Sequence, residues 1–169
     1  MKKSISTDFS SSNLAKALEI LTEAPKTLSV LSKSVSKEKW KQPLSKGERT
    51  PTEVLAHILN SEARSSEMIY QALLVNEPYF VDIHPERDLG KLLQFELLDF
   101  SELLAYFNTR RKVLLQVLSN LKEKDWERVV REESKQRKES IYWKARSLAL
   151  HEAEHVGELE EKLSGEAGR

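Results

Sequence analysis

The sequence contains no cysteine. This absence excludes disulfide bonds, thiolate nucleophiles from the protein itself, and zinc sites built from cysteine. Glycine and proline are scarce, at five residues each in a chain of 169 residues. Because both residues interrupt regular structure, their scarcity favours long helices over a turn-rich β fold. The length suits one domain, and we expect residues 1–169 to form a single helical bundle with frayed tails at 1–10 and 164–169.

Net charge and long hydrophobic runs are also lacking. Lys plus Arg and Asp plus Glu number 27 each, so the formal net charge is zero, whereas nucleic-acid binders usually carry a basic excess. The polar run after the first lysines does not resemble a signal peptide. No apolar stretch approaches the roughly 20 residues that span a bilayer. We therefore expect a cytoplasmic protein that binds neither nucleic acid nor membranes.

The spacing of apolar residues predicts an all-α fold with four main helices. These helices are expected at about 11–34, 50–76, 89–121 and 140–163. The second has the strongest start signal, because Thr50-Pro51-Thr52-Glu53 combines a capping threonine, a proline at the first helical position and a glutamate three residues after the cap. In the first helix, Pro25 predicts a kink or a restart, since proline lacks the backbone N–H and clashes with the preceding turn.

The three connections differ in character. Residues 36–50 are polar and are predicted to be a connector with a short helix at 36–40. Residues 77–88 contain two prolines and His84, and are predicted to be a crossover with His84 on the surface. Residues 122–140 are highly charged around Trp126 and are predicted to be a loop with a hairpin-like excursion.

Three of the four histidines form the pattern with the clearest chemistry. His151 and His155 are spaced i, i+4, so both imidazoles lie on one face of the last helix, within the apolar stripe between Leu148 and Leu159. His57 lies on an inward face of the second helix, and side chains on facing helices of a bundle converge in its interior. The sequence therefore predicts one divalent metal ion between them, with a coordination position left open for water or substrate. The alternative is that they are core histidines with single hydrogen bonds.

The segment from His151 to His155 also matches H-E-x-x-H, the signature of zinc peptidases. A peptidase of that type needs a third ligand downstream, and only fourteen residues follow His155 in the sequence. It also needs a sheet edge to hold the peptide, and the sequence has no evident strand pattern. Peptidase activity is therefore not the favoured interpretation.

Two further residues are candidates for catalysis. Glu152 is adjacent to a proposed ligand, so its carboxylate could act as a general base; it could instead orient a histidine or be a solvated helix residue. Arg111 falls on the apolar stripe of the third helix, between Phe107 and Leu114. A buried guanidinium needs a partner, so we expect it to pair with a bundle carboxylate or to bind an anionic substrate.

Four short motifs, in this order and spacing, resemble the DinB-like (DinB/YfiT-like) family. They are the residues 22–28, Thr50 to His57, the stretch from Leu114 to Trp126, and the final Ala149-Leu150-His151-Glu152-Ala153-Glu154-His155, where the family usually has His-Asp-x-x-His. The resemblance extends from about Leu18 to Leu163. This sequence departs from the family at Thr50-Pro51, which stands in place of tryptophan-serine, and at Glu152. It also departs at 134–138, which replaces a glycine-containing loop.

The resemblance implies a DinB/YfiT-like four-helix bundle in which His57, His151 and His155 bind a divalent metal, often zinc or nickel. It places a recurrent family arginine near Arg111. Relatives include thiol-dependent transferases and isomerases that use low-molecular-weight thiols such as bacillithiol. A possible homodimer through helix faces is also expected for such bundles.

Three classes of function follow. The first is a metal-dependent enzyme acting on a small molecule, either a hydrolase or a bacillithiol-type S-transferase; the latter is compatible with the missing cysteines, because the thiol would arrive with a cofactor. The second is a non-catalytic stress-response or interaction bundle whose metal is structural or sensory. The third is a metal-free interaction protein.

Overall fold

The computed structural model describes residues 4–164, which form a bundle of four long helices. These are α1 (Ser11–Ser34), α2 (Pro51–Leu74), α3 (Phe100–Ser119) and α4 (Ile141–Ser164). A 3-10 turn at Lys37–Lys41 occupies the first connection, where a short helix is predicted. The all-α, four-helix-bundle prediction is confirmed. Among the described residues, no helix is long and apolar enough to cross a membrane.

The second helix begins where its start signal predicts. The Thr50 hydroxyl accepts a hydrogen bond from the Glu53 backbone N–H at 3.2 Å, and the Thr50 N–H donates to the Glu53 carboxylate at 2.7 Å. This reciprocal pair satisfies N–H groups that a helix start otherwise leaves without partners. In α1 the prediction of a restart at Pro25 is wrong, because the helix continues through it to Ser34.

A small sheet joins two of the connections beside the bundle. Its strands are β1 (Tyr79–Phe80), β2 (Val129–Glu132) and β3 (Glu139–Ser140), in that order. Strands β2 and β3 pair antiparallel, which confirms the hairpin-like excursion, whereas β1 pairs parallel to β2. The sequence analysis predicted no strands, and this prediction is wrong for these short segments. The buried Lys144 of α4 donates to Glu139 at 2.7 Å and also binds Glu132, which ties the hairpin to the bundle.

The third helix is shorter than predicted. The leucine spacing predicts a helix over 89–121, but regular helix begins only at Phe100. Before it lie a six-residue π-helical turn, Pro85–Gly90, and two single turns separated by Gln94, whose φ of 48° is left-handed. Leu97, which continues the apolar stripe in sequence, is 75% exposed. This part of the predicted stripe is therefore not buried in the bundle.

The apolar core consists of two clusters along the bundle axis. One contains Leu21, Met68, Leu114 and Ala149, and the other contains Leu28, Leu59, Phe107 and Val156. Between these two levels, α2, α3 and α4 each place a charged residue in the interior, namely Glu62, Arg111 and Glu152. The core is therefore divided by a charged layer, and the candidate site lies at the edge of that layer.

Candidate metal centre

The structure brings His57, His151 and His155 together. The three ring centroids are 4.8, 4.7 and 4.6 Å apart, a nearly equilateral triangle, and one ligand atom from each residue lies within 4.8 Å of the other two. His57 extends from α2, and the other two from successive turns of α4. The i, i+4 spacing on α4 produces the pair, and the packing of α2 against α4 adds the third ring.

The donor set and its spacing are suited to a divalent transition metal. The Nε2 atoms of His57 and His151 face each other at 2.9 Å. Zinc–nitrogen bonds of about 2.0–2.1 Å in tetrahedral geometry place ligand nitrogens roughly 3.3 Å apart, so a small widening accommodates the ion. The side chains of His57 and His155 are 16% and 18% exposed, so the cluster is partly buried but still reaches solvent. Three protein ligands leave the fourth position of a tetrahedral ion for water or substrate, which is typical of catalytic rather than structural zinc.

A carboxylate from outside the helices holds His57 in place. Glu86, in the π-helical turn, contacts Nδ1 of His57. The Arg49 guanidinium binds the other Glu86 oxygen at 3.3 Å. Because Nδ1–H donates to Glu86, a neutral His57 has its lone pair on Nε2, the atom that faces His151. This carboxylate–histidine contact fixes both the tautomer and the ring orientation that a metal requires.

The electrostatic surroundings keep the α4 histidines neutral. Burial lowers the pKa of His151 to about 4, and the neighbouring His155 and His57 rings act in the same direction. Burial and His57 also lower the pKa of His155, although Glu158, whose carboxylate lies 3.5 Å from Nδ1, opposes the shift. Metal binding requires the unprotonated imidazole. At neutral pH these two ligands therefore need lose no proton to bind an ion.

Beneath the histidines, Arg111 joins all four helices. Its guanidinium binds both Glu152 carboxylate oxygens on α4, Glu62 of α2 at 2.7 Å, and the Leu21 backbone oxygen of α1 at 2.8 Å. All three charged side chains are at most 1% exposed. Burial lowers the pKa of Arg111, but the Glu152 and Glu62 carboxylates outweigh it and raise that pKa overall. The predicted pairing of Arg111 with a bundle carboxylate is confirmed.

Glu152 is fully buried, so its interpretation as a solvated helix residue is wrong. Burial raises its pKa to about 7, against the opposing effect of Arg111. Because Arg111 binds both carboxylate oxygens, the contacts favour a positioning role: the residue next to His151 is fixed to the core. The general-base role of Glu152, and an anion-binding role for Arg111, stay predictions.

Two partners in this region carry no signal in the sequence that we could find. Glu86 is 29 positions from His57 and lies in a connection that was predicted only to be a crossover. Glu62 follows the helical period of α2, but a charged residue at that position is ordinarily exposed.

The fourth histidine, His84, is on the surface as predicted, where its Nδ1 accepts a hydrogen bond from the Arg87 backbone N–H. Two surface grooves have volumes of about 630 and 610 Å³. None of the three clustered histidines lines either groove.

The fold and the site together define a helical bundle with a three-histidine cluster of the kind that binds divalent metals. The sequence matches the DinB superfamily over residues 20–159, and the chain belongs to that superfamily. Among solved structures, it is similar to YfiT from Bacillus subtilis, described as a probable metal-dependent hydrolase with an unusual four-helix bundle topology. That match has a TM-score of 0.82 and 17% sequence identity, and covers 99% of this chain and 94% of YfiT. No curated protein matches the sequence.

Proposed function

We propose that the chain is a divalent-metal-dependent hydrolase of a small-molecule substrate, with His57, His151 and His155 as the ligands. The observation that carries this proposal is the convergence of three partly buried imidazoles, with His57 oriented by Glu86. The description of YfiT as a probable metal-dependent hydrolase supports the choice of reaction. Zinc and nickel are the metals we expect, because imidazole ligands suit both.

The ligand residues would hold the ion, and the remaining groups have separate tasks. A divalent ion bound in this way polarises a substrate carbonyl and lowers the pKa of water or of a thiol toward neutrality. Glu86 keeps the His57 proton on Nδ1, away from the ion. Arg111, through Glu152, holds the turn of α4 that presents His151. The protein thus orients the histidine ligands and places them in a partly buried site.

A bacillithiol-type S-transferase is the second candidate. It is supported by the resemblance to thiol-dependent relatives and by the absence of cysteine, since the thiol would then come from the cofactor. Thermal melting of the metal-loaded protein separates the two. A thiol at 100 times its Kd stabilises the folded protein by about 2.7 kcal/mol, whereas a hydrolase without a thiol site shows no such shift.

The proposed function is tested by metal content and turnover together. We expect wild-type protein loaded with zinc or nickel to hydrolyse at least one member of a panel of small esters and amides. His155→Ala should lose both the metal and the activity. His84→Ala is the matched control, since it removes a surface histidine outside the triangle and should retain both. Retained metal with no turnover on esters, amides or thiol substrates would instead favour the non-catalytic metal-binding bundle.

A further inference from the structure

Arg49 is a cation beside the metal centre that reaches solvent. Its guanidinium donates to Oε1 of Glu86 at 3.3 Å, while the other Glu86 oxygen contacts His57. Arg49 also acts on the α4 side of the cluster: burial and His57 lower the pKa of His155, and the positive charge of Arg49 acts in the same direction. Because salt screens exposed charges beyond about 10 Å, the guanidinium lies near ligands from both helices.

The backbone at Arg49 is fixed by the turn that precedes α2. The Leu44 N–H donates to the Arg49 carbonyl oxygen at 3.1 Å, and Thr50, the next residue, caps α2. Glu48 in the same turn binds Lys162 of α4. The turn is thus tied to both helices that carry the histidine ligands, so the fold defines where the Arg49 side chain starts relative to the cluster.

Most of the hydrogen-bonding capacity of this guanidinium is not used by the protein. A guanidinium carries several N–H donors, yet within residues 4–164 the Arg49 side chain makes one hydrogen bond, to Glu86. That bond, at 3.3 Å, is longer than the roughly 2.7–2.9 Å usual for charge-assisted contacts. The side chain is 45% exposed, so a molecule arriving from solvent can reach the remaining donors. Arg111, by contrast, is 1% exposed and binds carboxylates inside the bundle.

The charges around the cluster favour a ligand with an anionic group near Arg49. On α4, the Glu158 carboxylate lies 3.5 Å from Nδ1 of His155, and the negative charge of Glu154 acts on His151. These groups disfavour an anion on their side of the cluster. A bound divalent ion is a large local positive charge, so an oxyanion that reaches Arg49 is attracted by both. The planar fork of arginine matches the geometry of carboxylate and phosphate groups.

We propose that Arg49 binds an anionic group, a carboxylate or a phosphate, of the molecule held at the metal, so that the substrates are small anionic molecules. This inference rests on the proposed function, because it assumes a bound ion with a position open to the same molecule. It assigns Arg49 as a specificity-determining residue and small molecules with an oxyanion group as the substrate class.

The test compares metal-binding probes that differ in charge. Monohydroxamates of malonic, succinic and glutaric acid carry a carboxylate at three distances from the chelating group, and their primary amides are neutral and nearly isosteric. Phosphonate-bearing hydroxamates of the same lengths distinguish a phosphate site from a carboxylate site. Kd values are measured by calorimetry on zinc-loaded wild type, Arg49→Gln and Lys46→Gln, with zinc content and melting temperature recorded. Lys46 is the matched control, because it is an exposed cation in the same turn.

For the probe length that fits best, we expect wild type to bind the anionic probe more tightly than the neutral amide. Arg49→Gln should reduce that preference about five- to tenfold, the effect of one charge-assisted hydrogen bond at a partly exposed site. Lys46→Gln should change it less than about twofold, because exposed charges without direct contact are screened. Arg49→Lys keeps the charge but not the fork, so it should retain part of the preference, and it replaces Arg49→Gln if that variant does not fold.

Three results would overturn the inference while leaving the proposed function intact. The first is a wild type that does not prefer an anionic probe of any length. The second is an equal loss of preference in Lys46→Gln. The third is a fall in affinity for anionic and neutral probes alike in Arg49→Gln, which would show that Arg49 only orients Glu86. A protein that takes up no zinc, or zinc-loaded protein that binds none of the probes, refutes the proposed function and this inference together.

Discussion

The buried layer around Arg111 gives the sharpest test of how the bundle is held together. Replacing Arg111 by methionine preserves most of its volume but removes the cation that faces Glu62 and Glu152. Those carboxylates are at most 1% exposed, so water cannot replace the lost partner. Breaking a buried ion pair on one side costs about 3–5 kcal/mol. Domains are stable by only about 5–15 kcal/mol, so this loss is a large fraction of the total.

Urea unfolding of metal-free protein, followed by far-ultraviolet circular dichroism, measures the effect directly. We expect Arg111→Met to lower the free energy of unfolding by about 3–5 kcal/mol. Arg110→Met is the matched control: Arg110 also binds Glu62, at 3.3 Å, but its side chain is 27% exposed, so its loss should cost about 1 kcal/mol or less.

A compensating variant separates lost charge pairing from lost packing. Changing Glu62 and Glu152 to leucine together with Arg111→Met leaves no buried charge in the layer. Apolar replacements of buried ion pairs are often neutral or stabilising, so the triple variant should recover to about wild-type stability. If Arg111→Met lowered the free energy of unfolding by less than about 1 kcal/mol, the reasoning would be refuted. Such a result would mean that removing the guanidinium does not leave the buried carboxylates without a partner.

Three further outcomes are expected. Glu86→Gln should weaken metal binding about 10- to 100-fold in a competition assay with a chelating dye, because the carboxylate orients His57; unchanged affinity would contradict that role. The lowered pKa of His151 means that its contribution to the stability of the metal-free protein is fully present above its ordinary pKa of 6.5 and is lost as pH falls toward 4. His151→Ala should flatten the fall in melting temperature over that range, and an unchanged slope would count against a neutral buried His151. Thr50→Ala should lower unfolding stability by about 1 kcal/mol in urea titrations, since it removes the cap of α2, and no change would show that the capping hydrogen bond contributes nothing.

Several features that depend on local chemistry were predicted correctly from the sequence. The capping residues place the start of α2 correctly, and the i, i+4 spacing places His151 and His155 on one face. Arg111 was identified because a charged residue interrupts an apolar stripe, and burying it requires a partner. In each case the signal lies within one helix and depends only on its period.

The parts that sequence reasoning missed depend on contacts between distant segments. Glu86 reaches His57 only because the turn after β1 folds back onto α2, and no local pattern encodes that approach. Leu89, Leu93 and Leu97 match a helical stripe, yet Leu93 and Leu97 are exposed and the helix is broken at Gln94. Glu152 allowed three interpretations in sequence, and its contact with Arg111 of α3 excluded the solvated one.

The most direct test of the central claim is elemental analysis of untagged protein, with wild type and His151→Ala prepared side by side. We expect about one zinc or nickel ion per chain in wild type, because three converging ligands bind one ion, and a large loss of that metal in the variant. Wild type that remains metal-free after reconstitution with either ion would contradict the account. In that case the three histidines would be core residues, and the metal-free interaction protein would be the better interpretation.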